Sequence, residues 1–516
     1  MRLLSAVLVH PNMRAVLLLL VPAIAHAQPP DPAPAFAPES ESEPITLADA
    51  VRAAVLRNPG LLATRVDAAI ADAKLTSARG ALDLVASTSA KWHHTRPRAI
   101  DEDPASTTVT TSSALTQPLP TGGSVALTAD TEFSRQRLVL DGTSSRTDSN
   151  SADVLLVLRH PLLRGWGDGT APRISIARTE ISRDIARLEA AASAATTLRD
   201  LVVAYWELAF ARDDVAIRRR SLSVAKEQQR ITRARVATGK IASSELLAVG
   251  QAIALREDEL ARSEAALVTR SLELARLLGR DINDAHTFDP IDRRPPSSSR
   301  SSSPPSPAPD RDIQVEIAAA LARSPELATL RARGKAAVLE VEVANNAMLP
   351  AVDVTASVGV HGSGQDSSTA WQELTHAATP VFGASVEVTF PIANRAASGT
   401  RAAARRTVKR VKLDEQALAA ELRRGVVDAA TAMHAAHRRI AALDDAVDLA
   451  EQAIEAERAR WEAGKSTNYE VMRRQAERED TALRRARAQA DLLEAEAMLD
   501  ALTGAILPRY HVRFSG

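Results

Sequence analysis

Between Arg401 and Gly504, apolar and polar positions follow a period of seven. Val408, Leu422, Ala429, Ala436, Leu443 and Ala450 fall on one seam, and Val411, Leu418, Ala432, Ala446 and Ala453 on a second. A repeat of seven means about 3.5 residues per turn, the period of left-handed coiled helices. The pattern breaks at Gly464, a residue that tolerates the left-handed conformation ending a helix, and Ser466, Thr467 or Asn468 can cap the next helix. A second arm runs on to Gly504. The stretch predicts two long antiparallel helices turning at Gly464.

A similar object lies upstream. Thr238-Gly239-Lys240 reads as a turn and Leu277-Leu278-Gly279 as an end. Gly464 follows Gly239 by 225 positions, and Gly504 follows Gly279 by the same 225. Ile174, Ile181 and Leu188 step by seven in a helix expected from about Pro172 to Thr238. At ~1.5 Å per residue it spans about 100 Å, far beyond a globular helix. Asn58-Pro59 and Ser324-Pro325 interrupt shorter helices at corresponding places. The chain reads as two units, each helix, sheet, long helix, turn and helix.

Between the helical parts the period changes to two, as in Val125, Leu127, Ala129, Thr131 and Phe133. Strands are expected near 84–94, 107–115, 124–133 and 152–158, and again near 352–361 and 383–390. The connection at 117–123 is a short turn, whereas 96–106 and 134–151 read as long polar loops. Short turns on one side and long loops on the other suit an outer-membrane barrel. A soluble sandwich satisfies the same alternation.

Residues 1–27 read as an export signal, with Arg2 and Arg14, an apolar run at 15–24 and a small-x-small site at Ala25-His26-Ala27. A Pro-rich leader (28–44) precedes the first unit (45–290). A low-complexity linker (291–310) precedes the second (311–507), and a tail (508–516) closes the chain. There is no Cys, hence no disulfide and no lipidated N-terminal thiol. Lys and Arg number 64, as do Asp and Glu, and the zero net charge argues against a nucleic-acid partner. Aromatic content of 3% points to thin, Ala-packed helices rather than a large globular core.

The order of these features resembles the TolC family of outer-membrane efflux proteins over nearly all the mature length. Asn58-Pro59 and Ser324-Pro325 carry the resemblance, with the strand-to-helix exits at Pro161-Leu162 and Pro391-Ile392. Val203-Ala204-Tyr205-Trp206-Glu207-Leu208, the turn glycines Gly239 and Gly464 and the Leu-x-Gly ends add to it. The implied fold is mainly α with a β-barrel segment: long coiled-coil hairpins form a trimeric periplasmic tunnel below a shared transmembrane β-barrel. The resemblance implies a passive duct in the outer membrane, contacting its lipid. It would work with a periplasmic adaptor (membrane fusion protein) and an inner-membrane pump, and carry drugs, metals or proteins outward. Four strands in the first unit and two in the second depart from the simplest family pattern, leaving 12 or 18 strands per trimer.

The resemblance also places the residues after the turn glycines at the closed periplasmic entrance. These are Glu470, Arg473, where many members have another acid, and Glu245 in the first unit. The turns Gly239-Lys240 and Gly464-Lys465-Ser466 would meet the adaptor. A solvated helix face is the plainer alternative for Glu470, Arg473 and Glu245. No nucleophile, phosphate loop or zinc motif occurs, so neither an enzyme nor a cofactor is expected. His434 and His437 sit three apart on a helix and read better as its polar face than as a metal site; His93 and His94 read as strand-end residues. Competing readings are a periplasmic adaptor and a structural coiled coil of the envelope. The matched sheet segments oppose both.

Overall fold

The computed structural model describes residues 43–96, 105–140, 143–239, 241–281, 288–292, 312–376 and 379–512. These belong to one unit, residues 42–516; the other unit, 1–41, lies outside the described residues. So the expected signal, nearly all of the leader, Lys240 and the linker beyond Asp292 lie outside them too.

The chain runs β1 (Glu43–Ile45), α1 (Leu47–Arg57) and α2 (Pro59–Arg79), then β2 (Val85–Thr95), β3 (Ala105–Pro118), β4 (Ser124–Leu140) and β5 (Thr143–Pro161). Helices α3 (Ala171–Ala237) and α4 (Ser244–Leu278) come next. After β6 (Phe288–Pro290) come α5 (Ile313–Arg323), α6 (Pro325–Asn346), β7 (Ala351–Gly364), α7 (Ser367–His376) and β8 (Thr379–Thr389). The long α8 (Arg395–Glu462), α9 (Asn468–Leu502) and the short α10 (Ile506–Arg509) close the order.

Single residues set the helix junctions. Asn58 closes α1 through its N–H to the Ala54 carbonyl, and its side chain accepts from Leu61 N–H at 3.1 Å to open α2. Pro59 takes the first helical position, where no N–H is required. Ser324 and Pro325 do the same between α5 and α6, with Ser324 accepting from Leu327 N–H at 3.2 Å. The return helix α4 ends on this junction. Gly279 adopts φ +70°, and a Cβ there would lie 2.4 Å from the Arg57 carbonyl oxygen. Asn58 Nδ2 also donates to the Leu277 carbonyl at 2.7 Å. Gly504, at φ +68°, meets Arg323 in the same manner. Helix α2 therefore continues the line of α4 along α3, and α6 that of α9 along α8.

Helices α3 and α8 have 67 and 68 residues, and α4 and α9 have 35 each. In α8 the first expected seam is buried or half-buried from Val408 to Ala450. The second expected seam is a correction: Ala432 is exposed and none of its members is fully buried. Burial instead favours the other flank, where Val426 and Trp461 are buried and Met433 packs between α5 and α9. A step of three and a step of four lie on opposite sides of one seam, and the larger side chains decide which side packs. Cross-helix ion pairs accompany the packing, among them Arg187–Asp72 at 3.0 Å, Arg333–Glu189 at 2.7 Å and Arg439–Asp491 at 2.8 Å. Each contributes little energy, but together they cancel the charge and discourage register slips.

The largest core lies at the waist of the helices. Leu198, Leu201, Tyr205, Leu208, Leu274 and Leu278 pack there with α1, Phe288 and Ile506. It corrects three expected boundaries. Glu43 and Pro44, assigned to the leader, form β1 and pair in parallel with β6. Asp292, assigned to the linker, accepts from Tyr205 Oη at 2.8 Å and from Leu47 N–H at 2.5 Å. Arg509, Tyr510 and Val512, assigned to the tail, are also structured: Arg509 ends α10, and Tyr510 and Val512 pack on this core.

The other strands form one antiparallel sheet in the order β2-β3-β4-β5-β7-β8. Residues 134–151 are not a long loop: β4 and β5 stay paired from Ser124↔Arg159 to Leu140↔Thr143. Polar residues on both faces hid this extension, because alternation is visible only when one face is apolar. The connection after β7 contains α7, whose first turn is held by Asp366 Oδ1 accepting from Thr369 N–H at 2.7 Å. No described helix is long and apolar enough to cross a membrane.

Two glycine substitutions test the junctions in opposite directions. Gly279→Ala forces a side chain into left-handed backbone and the Arg57 carbonyl, and is expected to destabilise by about 1–3 kcal/mol. Gly250→Ala, inside α4 with open space around the new Cβ, is expected to stabilise by about 0.5–1 kcal/mol. Thermal unfolding monitored by circular dichroism reads both.

Candidate functional site

The helix-turn end brings both glycine turns together. Gly239 and Gly464 have φ +69° and +72°. Lys465 N–H returns to the Arg460 carbonyl at 2.8 Å, closing the end of α8. Four residues before Gly239, the Arg235 guanidinium lies 3.8 Å from the centre of the Trp461 ring, three residues before Gly464. Of the candidate caps, Thr467 serves, accepting from Glu470 N–H at 3.3 Å, while Ser466 turns back and donates to Glu457. Gly464 and Lys465 are exposed.

Glu470 and Arg473 are brought together on α9, at 3.5 Å, and Arg473 also reaches Glu477 at 3.3 Å. All are partly exposed. Glu245 stands in the first turn of α4, with one carboxylate oxygen buried and without a hydrogen-bond partner among the described residues. Between α4 and α9 runs a groove of about 370 Å³, lined by Ala248, Leu255, Arg256, Tyr469, Met472 and Arg473. Arg473 lines it; Glu470 and Glu245 do not.

Behind these residues lies a buried polar chain that sequence reasoning missed. Gln228 Nε2 donates to Asn468 Oδ1 at 2.5 Å, and Asn468 Nδ2 to Thr232 Oγ1 at 3.1 Å, with all three residues buried. About two to three turns along, Arg256 Nε donates to Ser221 Oγ at 3.1 Å, and Ser221 donates to Glu479. Buried polar groups that satisfy one another hold a unique register, because any slip leaves one unpaired. Their signal is polar residues recurring where the helices pack.

A second polar cluster sits at the waist. Arg487 reaches Glu207 and Asp491 at 2.6 Å and Glu494 at 3.2 Å, and Arg270 approaches Glu207 at 3.6 Å. Burial pushes Glu494 up to about 7; Arg487 opposes this, and the neighbouring Glu207 charge adds to it.

At the far end, register sorts the sheet into two faces. Trp92, Leu115, Leu127, Leu156, Val358, Phe382 and Val386 share one face, and all are exposed. Lys91, Thr110, Asp130, Glu132, Asp153 and Glu387 lie on the other, where His361 Nδ1 meets Asp153 at 2.7 Å. From Val125 to Phe133 the apolar face runs about 27 Å along the strand, the extent a tilted membrane strand needs.

An exposed apolar sheet face backed by a polar one, joined to helical hairpins of about 100 Å, defines an outer-membrane channel. The sequence profile of the outer membrane efflux protein family matches residues 126–280 and 317–505, and the chain belongs to that family. No curated protein sequence matches it. Its fold is similar to that of the outer-membrane channel OprN, at 14% identity and TM-score 0.66, covering 89% of this chain and 90% of that one. It is similar also to the outer membrane protein VceC of Vibrio cholerae, at 15% and 0.64, covering 89% and 96%. The CmeC outer membrane channel of Campylobacter jejuni matches at 14% and 0.62, covering 89% and 85%. The protein is an outer-membrane efflux channel, and its structural relatives are channels rather than enzymes.

The waist cluster predicts a pH dependence. Because its folded value is raised, Glu494 holds its proton more tightly folded than unfolded. Its penalty is absent below the ordinary carboxylate value of 4.5 and grows as pH rises towards about 7. Glu494→Gln is expected to remove a stability loss on the order of 1–2 kcal/mol across that window. Melting temperatures measured from pH 4 to 8 check it; an unchanged slope in the variant refutes it.

Proposed function

We propose that three copies assemble into one channel-tunnel. It would carry substrates passively outward from an inner-membrane pump and a periplasmic adaptor. The observation that carries this reading is the sheet. Its edges, β2 and β8, pair with no other strand among the described residues. In lipid an open edge strands its backbone N–H and C=O groups, each costing several kcal/mol, so the sheet must close. Six strands fall below the smallest single-chain barrels of about 8. Three copies supply eighteen, with the apolar face towards lipid and the polar face lining the pore. The paired lengths of α3 with α8 and α4 with α9 support two structural repeats per chain, hence six hairpins around the tunnel.

With the barrel in the outer membrane, the hairpins extend into the periplasm and the glycine turns face the pump side. Gly239, Gly464, Lys465 and Ser466 then form the adaptor-facing rim. The three-fold axis draws Glu470, Arg473 and Glu245 near their copies at the entrance. One relative, MtrE of Neisseria gonorrhoeae, is described in an open state, which fits an entrance that opens and closes. In a closed ring Arg473 offsets the mutual repulsion of Glu470 carboxylates.

Fractionation tests the assembly: the mature protein should require detergent and run at three times the chain mass. A soluble monomer would end the proposal. The entrance is tested separately in planar bilayers. Arg473→Glu replaces three positive charges by three negative ones and should raise cation conductance severalfold. Glu470→Ala should weaken block by multivalent cations. If both variants conduct and select like the parent, these residues form an ordinary solvated helix face.

A further inference from the structure

We infer that the apolar face of the sheet ends in a built site for the phosphate groups of outer-leaflet glycolipid, formed by Arg135, Arg137 and Arg146. The inference rests on the barrel reading above and adds a ligand to it. Cross-strand register places Trp92, Val109, Phe133 and Asn150 in one row at the end remote from the helices. The next row outward on the same face is His94, Thr107, Arg135 and Asp148, and beyond it Arg137 stands opposite Arg146. Two residues along a strand is about 7 Å, so the arginines begin one step past an aromatic row. That is the depth at which lipid headgroups replace acyl chains.

Among the described residues the charges do not cancel. Asp148 accepts from Arg135 at 2.9 Å and from Arg146 at 2.6 Å, while Arg137 makes no ion pair among the described residues. Among the described residues one carboxylate thus stands beside three guanidinium groups and pairs with two of them. Arg137 and Arg146 are direct cross-strand partners, an arrangement that repels unless an anion lies between them. Arg135 is further fixed by the Phe133 ring, 5.1 Å from its guanidinium carbon. The acids Asp130 and Glu132 lie on the opposite face and cannot neutralise the group. A phosphorylated sugar headgroup, anchored by acyl chains along Phe133 and Leu127, satisfies both the charge and the apolar band. Guanidinium forks match phosphate oxygens in pairs.

The experiment uses the full protein in detergent, titrated with diphosphoryl lipid A, with the same lipid stripped of phosphate, and with inorganic phosphate. Arg137→Gln, which removes no ion pair among the described residues, should weaken binding of diphosphoryl lipid A about fivefold, and the triple Gln variant roughly a hundredfold. Arg159→Gln, at the other end of β5, should change nothing. The dephosphorylated lipid should bind weakly to parent and variants alike. Equal binding by parent and triple variant overturns the site, as does full competition by millimolar inorganic phosphate, which would mark a free-anion site. The parent's detergent requirement and trimeric size are measured alongside. If they persist, only the lipid site has failed; if they do not, the barrel reading and this inference fall together.

Discussion

The helical half of the molecule depends on two places where backbone meets backbone. At Gly279 and Gly504 a return helix stops in left-handed conformation directly against the residue before an Asn-Pro or Ser-Pro junction. Any side chain there would push the two short helices apart. With glycine in place, α2 continues the line of α4 and α6 that of α9, so each long helix is flanked for most of its length. A single helix of about 100 Å has no globular core to hold it. It is stable here because every stretch has a neighbour.

Between those points the helices are held by thin packing. Alanine allows close approach but buries little area, so apolar burial per residue is modest. The chain compensates with its waist core around Tyr205 and with polar groups that leave no choice of register. Gln228, Thr232 and Asn468 satisfy one another only in the observed alignment, as do Ser221, Arg256 and Glu479. Such buried networks do more for uniqueness than for net stability. They lie just behind the helix turns, where the ends of the hairpins would otherwise fray.

The sheet obeys a different rule. Its two faces are sorted by side-chain alternation, and a shift of one residue would turn the apolar set inward. The long β4–β5 pairing carries that alternation past the apolar band into charged residues without changing face. The same outward row therefore passes from leucine through aromatic to arginine. The helix α7 covers the sheet near Gly362, where a side chain would collide with the Ala370 carbonyl.

Much of this fold is legible in local periodicity. The period of seven, the period of two, the turn glycines and the Asn-Pro and Ser-Pro junctions determined which elements form and in what order, because each depends on residues close in the chain. They also carried the family resemblance. Other features needed the tertiary structure. Which flank of the α8 seam packs was settled by the size of its neighbours on other helices, so Val426 and Trp461 are buried where Ala432 is not. The extension of β4 and β5 through residues 134–151 came from cross-strand pairing of polar residues, invisible to a hydrophobic count. Glu43 and Pro44 looked like leader, and Asp292 like linker, because their partners, Phe288, Asp289 and Tyr205, are distant in sequence. The candidate entrance residues were named by their distance from glycine. Glu470 and Arg473 stand three apart on α9, so their pairing follows from local spacing; that Gln228 and Asn468 lie beneath them emerged only when α3 and α9 were placed side by side, since contact between distant segments has no local signature.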